Sequence, residues 1–336
     1  MLFSRVLGRF RSARSRPAHG AASRLSSLKR TRYLLLVAGC AYSNERILAD
    51  LETRASVPAL EAAIDDGGAT PPEGALREVT LPLVRGKVPA VRGRLNGVEM
   101  PFVLDTGTSV VVVTAEAARD ARIYLPARPP ELTGGPGHVS TDRLCAFASL
   151  ELGPNRFGAG VATLPVNQRP GPWMDLGTES YAIVGCSVLS HFAVTFDFAK
   201  DEVRLRPTGR SAYATPLFTS VDVNGRPFML MVDSGATAVF LEPWAALELD
   251  LISTERAKRH ETRARAASDA LHSRFTLDRV AIAGRAFRDV AGAAVNTFGG
   301  RRAPDGARPG GLLGLKGFGD LVWTLDYGTR TLRLEP

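Results

Sequence analysis

One stretch occurs twice in this chain and limits what it can fold into. Phe102-Val103-Leu104-Asp105-Thr106-Gly107-Thr108-Ser109 leads into the valines 110 to 113. Its counterpart, 128 residues later, is Leu230-Met231-Val232-Asp233-Ser234-Gly235-Ala236-Thr237, which runs on to Leu241. In each copy an apolar run enters a turn of Asp, a hydroxyl residue and Gly, and a second apolar run leaves it. Such runs read as strands buried on both faces. A lone buried carboxylate is expensive, so each Asp needs a partner or a use.

The echo extends well beyond these turns. Asn96-Gly97, a hairpin signal of type I′, stands eight residues before Asp105, and Asn224-Gly225 stands at the same distance before Asp233. Ala182-Ile183-Val184-Gly185 answers Gly311-Leu312-Leu313-Gly314, and Val194-Thr195-Phe196-Asp197-Phe198 answers Trp323-Thr324-Leu325-Asp326-Tyr327. Val203-Arg204-Leu205-Arg206-Pro207 matches Leu332-Arg333-Leu334-Glu335-Pro336. The offset stays at 128 to 129 from Asn96 to Pro207, which marks a tandem duplication of a whole domain.

On these residues the chain resembles the aspartic proteases of the pepsin and retroviral-protease type. The resemblance covers residues 78 to 336 and rests on the two Asp-Thr/Ser-Gly turns, each followed about 80 residues later by two apolar residues and Gly. It implies an all-β fold, mainly strands with a few short helices. Two tandem acid-protease-like β-barrel lobes are expected, with the active site at their interface, like a retropepsin dimer fused into one chain. The expected layout is a leader over 1–40, a tether or pro-segment over 41–77, an N-terminal lobe over 78–207 and a C-terminal lobe over 208–336.

The function so implied is an aspartic endopeptidase. Asp105 and Asp233 would form the catalytic dyad, since two carboxylates in contact share a proton and supply base and acid together. Thr106 and Ser234 would hold the two loops across the interface, Gly107 and Gly235 would allow their close approach, and Thr108 offers a hydroxyl to Asp105. Gly134, Gly135 and Gly137 lie about 30 residues after Asp105, where retroviral proteases carry a substrate-covering flap; an ordinary surface loop is the other reading. The alternatives to a peptidase are a membrane-tethered, non-catalytic peptide-binding module of the same fold and a glycosidase, which also uses two carboxylates.

Other chemistries lack support. The five His residues show no metal-ligand spacing, and no Gly-x-Ser-x-Gly or phosphate-binding glycine loop occurs, so neither metal nor cofactor is expected. The expected partner is a peptide or protein substrate, and the protein is expected to be a monomer. The net charge is +8, yet residues 1 to 44 hold nine Arg or Lys and no acid, which leaves −1 for the rest. The basic balance therefore implies no nucleic-acid partner. Asp197 and Asp326 precede hairpins and read as structural.

The basic stretch ends in Tyr33-Leu34-Leu35-Leu36-Val37-Ala38-Gly39-Cys40. Val37 to Cys40 resembles a bacterial lipobox, which implies lipidation of Cys40, export, and a periplasmic or cell-surface location with a lipid anchor in the membrane. Another export signal or an unstructured leader remains an alternative. Cys145 and Cys186 are then two buried thiols or, alternatively, a disulfide. Thr114 is placed to cap a short helix to Ala121, and a second helix is expected from Glu242 to Leu249 with Pro243 in its first turn. Glu255 to Arg274 reads as a helix or a polar hairpin, so the two lobes should differ opposite the flap. Gly299 to Gly311 reads as a loop whose Arg residues form a solvated rim or a specificity pocket. Finally, Thr108 has Ala236 as its counterpart, and Ala there looks like the retroviral pattern. A pH optimum from mildly acidic to near neutral is the expectation.

Overall fold

The computed structural model describes residues 42–43, 70, 72–84, 86–125, 131–133, 141–165, 167–168, 176, 178, 180–209, 215–263, 273–298, 300, 302–303 and 306–335. Cys40 and the glycines at 134, 135 and 137 lie outside this set, as does most of the leader and tether.

Each lobe grows from a hairpin. Ala90–Leu95 pairs antiparallel with Val98–Leu104, and Phe218–Val223 pairs with Arg226–Asp233. The turns between them are Asn96-Gly97 at φ 49° and 80°, and Asn224-Gly225 at 49° and 84°. Both residues of each turn thus adopt the left-handed region that the I′ type requires, which Asn tolerates and Gly adopts freely. The second strand of each hairpin ends on its Asp turn.

The segment that follows the Asp turn folds back, and a later strand threads between the two. In lobe one Ala182–Val184 runs parallel to Val98–Leu104 on one side and antiparallel to Val111–Val113 on the other. In lobe two Gly311–Gly314 does the same between Arg226–Asp233 and Val239–Leu241. These inserted strands are flanked on both sides, which explains their uninterrupted apolar composition. Lobe one forms a nine-stranded sheet, whereas lobe two closes into a six-stranded barrel.

A five-stranded sheet joins the lobes. Its middle pair is Phe192–Asp197 from the first repeat against Val322–Asp326 from the second, antiparallel. Thr195 faces Thr324, 129 residues away, with their hydroxyls 2.9 Å apart. Because these are equivalent positions of the two repeats, a local twofold axis passes between them, as in an isologous contact of two subunits. Trp323, Phe196 and Phe192 are fully buried along this sheet, so the lobes share one continuous core.

The local expectations mostly hold. Thr114 caps the helix Ala115–Asp120 by accepting from the Ala117 amide, and Pro243–Glu248 is helical with Pro in its first turn. Thr254–Arg263 is a helix and leads to the strand Ser273–Ile282, so the part of lobe two opposite the flap candidate differs from lobe one. Cys145 and Cys186 are free buried thiols rather than a disulfide. Asp197 accepts from the backbone and ammonium of Lys200, and Asp326 accepts from the amides of Gly328 and Thr329, both structural roles.

Candidate active site

Each Asp turn is held by its own lobe and by the other one. Within lobe one the Asp105 amide donates to the Val184 carbonyl at 3.0 Å, which ties the turn to the threaded strand. Across the interface Thr106 Oγ1 donates to the Val232 carbonyl at 2.9 Å and accepts from the Ser234 amide at 3.0 Å. Ser234 Oγ reciprocates, donating to the Leu104 carbonyl at 2.5 Å and accepting from the Thr106 amide at 3.0 Å. Four buried hydrogen bonds thus lock the loops in mutual register.

This lock brings the carboxyls face to face. A methyl group added at Gly107 would lie 2.7 Å from Asp233 Cγ, and one at Gly235 would lie 3.0 Å from Asp105 Cγ. Only glycine leaves room for each loop to pass under the opposite carboxyl. Asp105 and Asp233 are 6% and 2% exposed, and they are close enough for their side chains to hydrogen-bond. The carboxyl pairs of glycosidases stand ~5 Å or more apart.

The two carboxyls have different surroundings. Asp105 Oδ1 accepts from the Gly107 amide at 2.8 Å and Oδ2 accepts from Thr108 Oγ1 at 2.7 Å. In the second lobe the hydroxyl is missing because Ala236 stands in its place. Asp233 Oδ1 is buried and has no hydrogen-bond partner among the described residues. Burial raises the Asp233 carboxyl well above the usual carboxylate range; the charge of Asp105 and the hydrogen bond to it add to the rise, against the amides of Gly235 and Ala236. Burial and the neighbouring carboxyl thus favour Asp233 as the seat of a proton shared by the pair.

Behind the two carboxyls lie two residues whose contacts were not apparent from the sequence. Cys186 Sγ stands 3.5 Å from the Thr106 carbonyl and 3.5 Å from the hydroxyl of Tyr327, which comes from the other lobe. The only trace of this in the sequence is that the repeats diverge at these points, since the counterparts of Cys186 and Tyr327 are Leu315 and Phe198. Glu242, which precedes the helix Pro243–Glu248, has a second role: its buried carboxylate accepts from the amides of Thr297 and Phe298 and secures the loop after Arg285–Ala294.

Among the described residues no cluster of His, Cys, Asp or Glu could hold a metal ion, and no helix is long and apolar enough to cross a membrane. The strands beside the flap candidate, Glu131–Thr133 and Thr141–Phe147, pair antiparallel; the glycines between them lie outside the described residues. Two Arg residues of the later loop are engaged locally: Arg302 donates to the Gly306 carbonyl, and Arg308 stacks 4.5 Å above the Trp244 ring.

A retropepsin-like aspartic protease from Rickettsia conorii is similar at 17% identity and a TM-score of 0.29, over 40% of this chain and 92% of that one. No curated protein matches the chain. The family model described as aspartyl protease matches it twice, over residues 91–187 and 219–316, once in each repeat. With more than half of its length so matched, the chain belongs to the aspartyl protease family.

Proposed function

We propose that the protein is an aspartic endopeptidase whose dyad is Asp105 and Asp233. The observation that carries this reading is the close approach of the two buried carboxyls, each lying against the glycine of the opposite loop. Asp105 takes a proton from a water molecule as the oxygen attacks the peptide carbonyl, and Asp233 gives its proton to the carbonyl oxygen. The tetrahedral adduct then collapses, with the proton gained by Asp105 passing to the leaving nitrogen and one hydroxyl of the adduct returning its proton to Asp233. The cross-lobe bonds of Thr106 and Ser234 keep both carboxyls in place through these transfers, so geometry is supplied before the substrate arrives.

The substrate is a peptide or protein segment, and a single chain supplies both halves of the site. The test is digestion of a peptide library by the full chain, with and without a pepstatin-type inhibitor. Asp105→Asn and Asp233→Asn should each reduce turnover by at least about 10³-fold while the fold is retained, because the pair acts as a unit and its losses are not additive. Near-normal cleavage by either variant would exclude the mechanism. A folded parent that binds peptides without cleaving them would instead identify a peptide-binding module.

A further inference from the structure

Cys186 follows the threaded strand of lobe one and is fully buried, while Tyr327 directly follows the inter-lobe strand of lobe two and is 2% exposed. Their polar atoms meet at 3.5 Å across 141 residues of sequence. Cys186 also directs its thiol at the Thr106 carbonyl. That carbonyl belongs to the same peptide unit as the Gly107 amide, which donates to Asp105 Oδ1 at 2.8 Å. The donors are used consistently if Tyr327 O–H donates to Cys186 Sγ and Cys186 S–H donates to Thr106 O. A peptide whose carbonyl accepts a hydrogen bond is a stronger donor at its amide, and chains of such bonds reinforce one another.

We propose that Tyr327 and Cys186 are positioning residues that act through the Thr106–Gly107 peptide to hold the negative charge of the dyad on Asp105 and the proton on Asp233. This rests on the peptidase reading of the same site. The second lobe has no equivalent, since Leu315 and Phe198 stand at the matching positions and cannot donate. The relay therefore adds to the asymmetry already set by Thr108 and Ala236. It also spans the lobes, so the Asp105 loop is coupled to the docking of the C-terminal hairpin. Both donors keep their protons wherever peptide cleavage takes place. Burial pushes the Cys186 thiol up to about 12 and the Tyr327 hydroxyl well above its usual value, with the charge of Asp105 acting in the same direction on both.

The experiment compares pH-rate profiles of the full chain with those of Tyr327→Phe, Cys186→Ala and Cys186→Ser, after circular dichroism has established that each is folded. Removing the relay weakens the Gly107 donor and makes the charged form of the dyad harder to reach. Tyr327→Phe and Cys186→Ala should move the acid limb upward by about 0.3 to 0.5 pH units, the size expected when one charge-assisted hydrogen bond loses its cooperative part. Cys186→Ser, which retains a donor to Thr106, should bring the limb back toward the parent position. Tyr327→Phe and Cys186→Ala combined should shift it no further than Cys186→Ala alone, because the two act in series.

A uniform fall of kcat with the limb unmoved would overturn the relay, as would equal shifts in Cys186→Ala and Cys186→Ser. Carbon-13 titration of the two dyad carboxyls in the parent and in Tyr327→Phe reads the same displacement without turnover. If the parent fails to cleave peptides, the peptidase reading falls while this titration still decides the relay: a displaced midpoint supports it and an unchanged one refutes it.

Discussion

At the scale of single residues, the two repeated Asp residues of the sequence lie face to face in the structure, in unequal surroundings. Thr108 donates to Asp105 as its position suggested, and the corresponding alanine leaves Asp233 without that bond. Ala236→Thr should therefore supply a hydrogen bond to the charged form of Asp233 and move the acid limb of the pH-rate profile downward; a fixed limb refutes this role of Ala236. Stability should also depend on Asp233. Its carboxyl value is raised in the folded protein from 3.8, so the unfolded chain ionises first as pH rises. The stabilising contribution is complete below that value and is lost as pH climbs toward the folded one. Urea midpoints of the parent should fall across this window, and Asp233→Asn, which has no ionisation to suppress, should flatten the decline.

At the scale of elements, the turn signals were legible because they depend on a few neighbouring residues. Asn96-Gly97 and Asn224-Gly225 form the hairpins their dipeptides specify. What the dipeptide did not reveal is that the Asn side chain also clamps a neighbouring hairpin. Asn96 accepts from the amides of Ala148 and Ser149 and donates to the Ala121 carbonyl, whereas Asn224 accepts only from the Arg279 amide among the bonds of its side chain. Asn96→Ala loses three hydrogen bonds and leaves at positive φ a residue that tolerates it less well than Asn, so it should destabilise the fold by about 2–4 kcal/mol. Asn224→Ala should cost roughly half as much by the same reasoning. Thermal or urea unfolding of the two variants checks the order, and equal losses would contradict it.

At the scale of the whole molecule, the duplication behaves as a dimer fused into one chain. The inter-lobe sheet pairs Thr195 with Thr324, and Lys316 of lobe two donates to the Gly86 carbonyl of lobe one at 2.8 Å. Thr70 and residues 72 to 77 pack along lobe one as well. His191 Nε2 lies 3.0 Å from the Thr70 carbonyl, the Arg77 amide donates to Asn155, and Glu73 pairs with Arg156. Because both half-sites reside in one polypeptide, activity should be independent of dilution into the nanomolar range, with a monomer in sedimentation velocity. Loss of specific activity on dilution, together with a sedimenting dimer, would show that the site is completed by a second copy.

The sequence by itself determined the two-lobe β architecture, the facing Asp turns, the hydroxyls that lock them and the Thr108/Ala236 asymmetry. All of these follow from short motifs repeated at one offset, where local turn chemistry and duplication carry the information. The tertiary structure alone decided which of the non-equivalent residues meet. Cys186 reaching Tyr327, Asn96 reaching Ala148, His191 reaching Thr70 and the closure of only the second lobe into a barrel depend on how the sheets twist and how the lobes dock. Such contacts join positions with no shared period or motif, so their pairing exists only once the chain is packed.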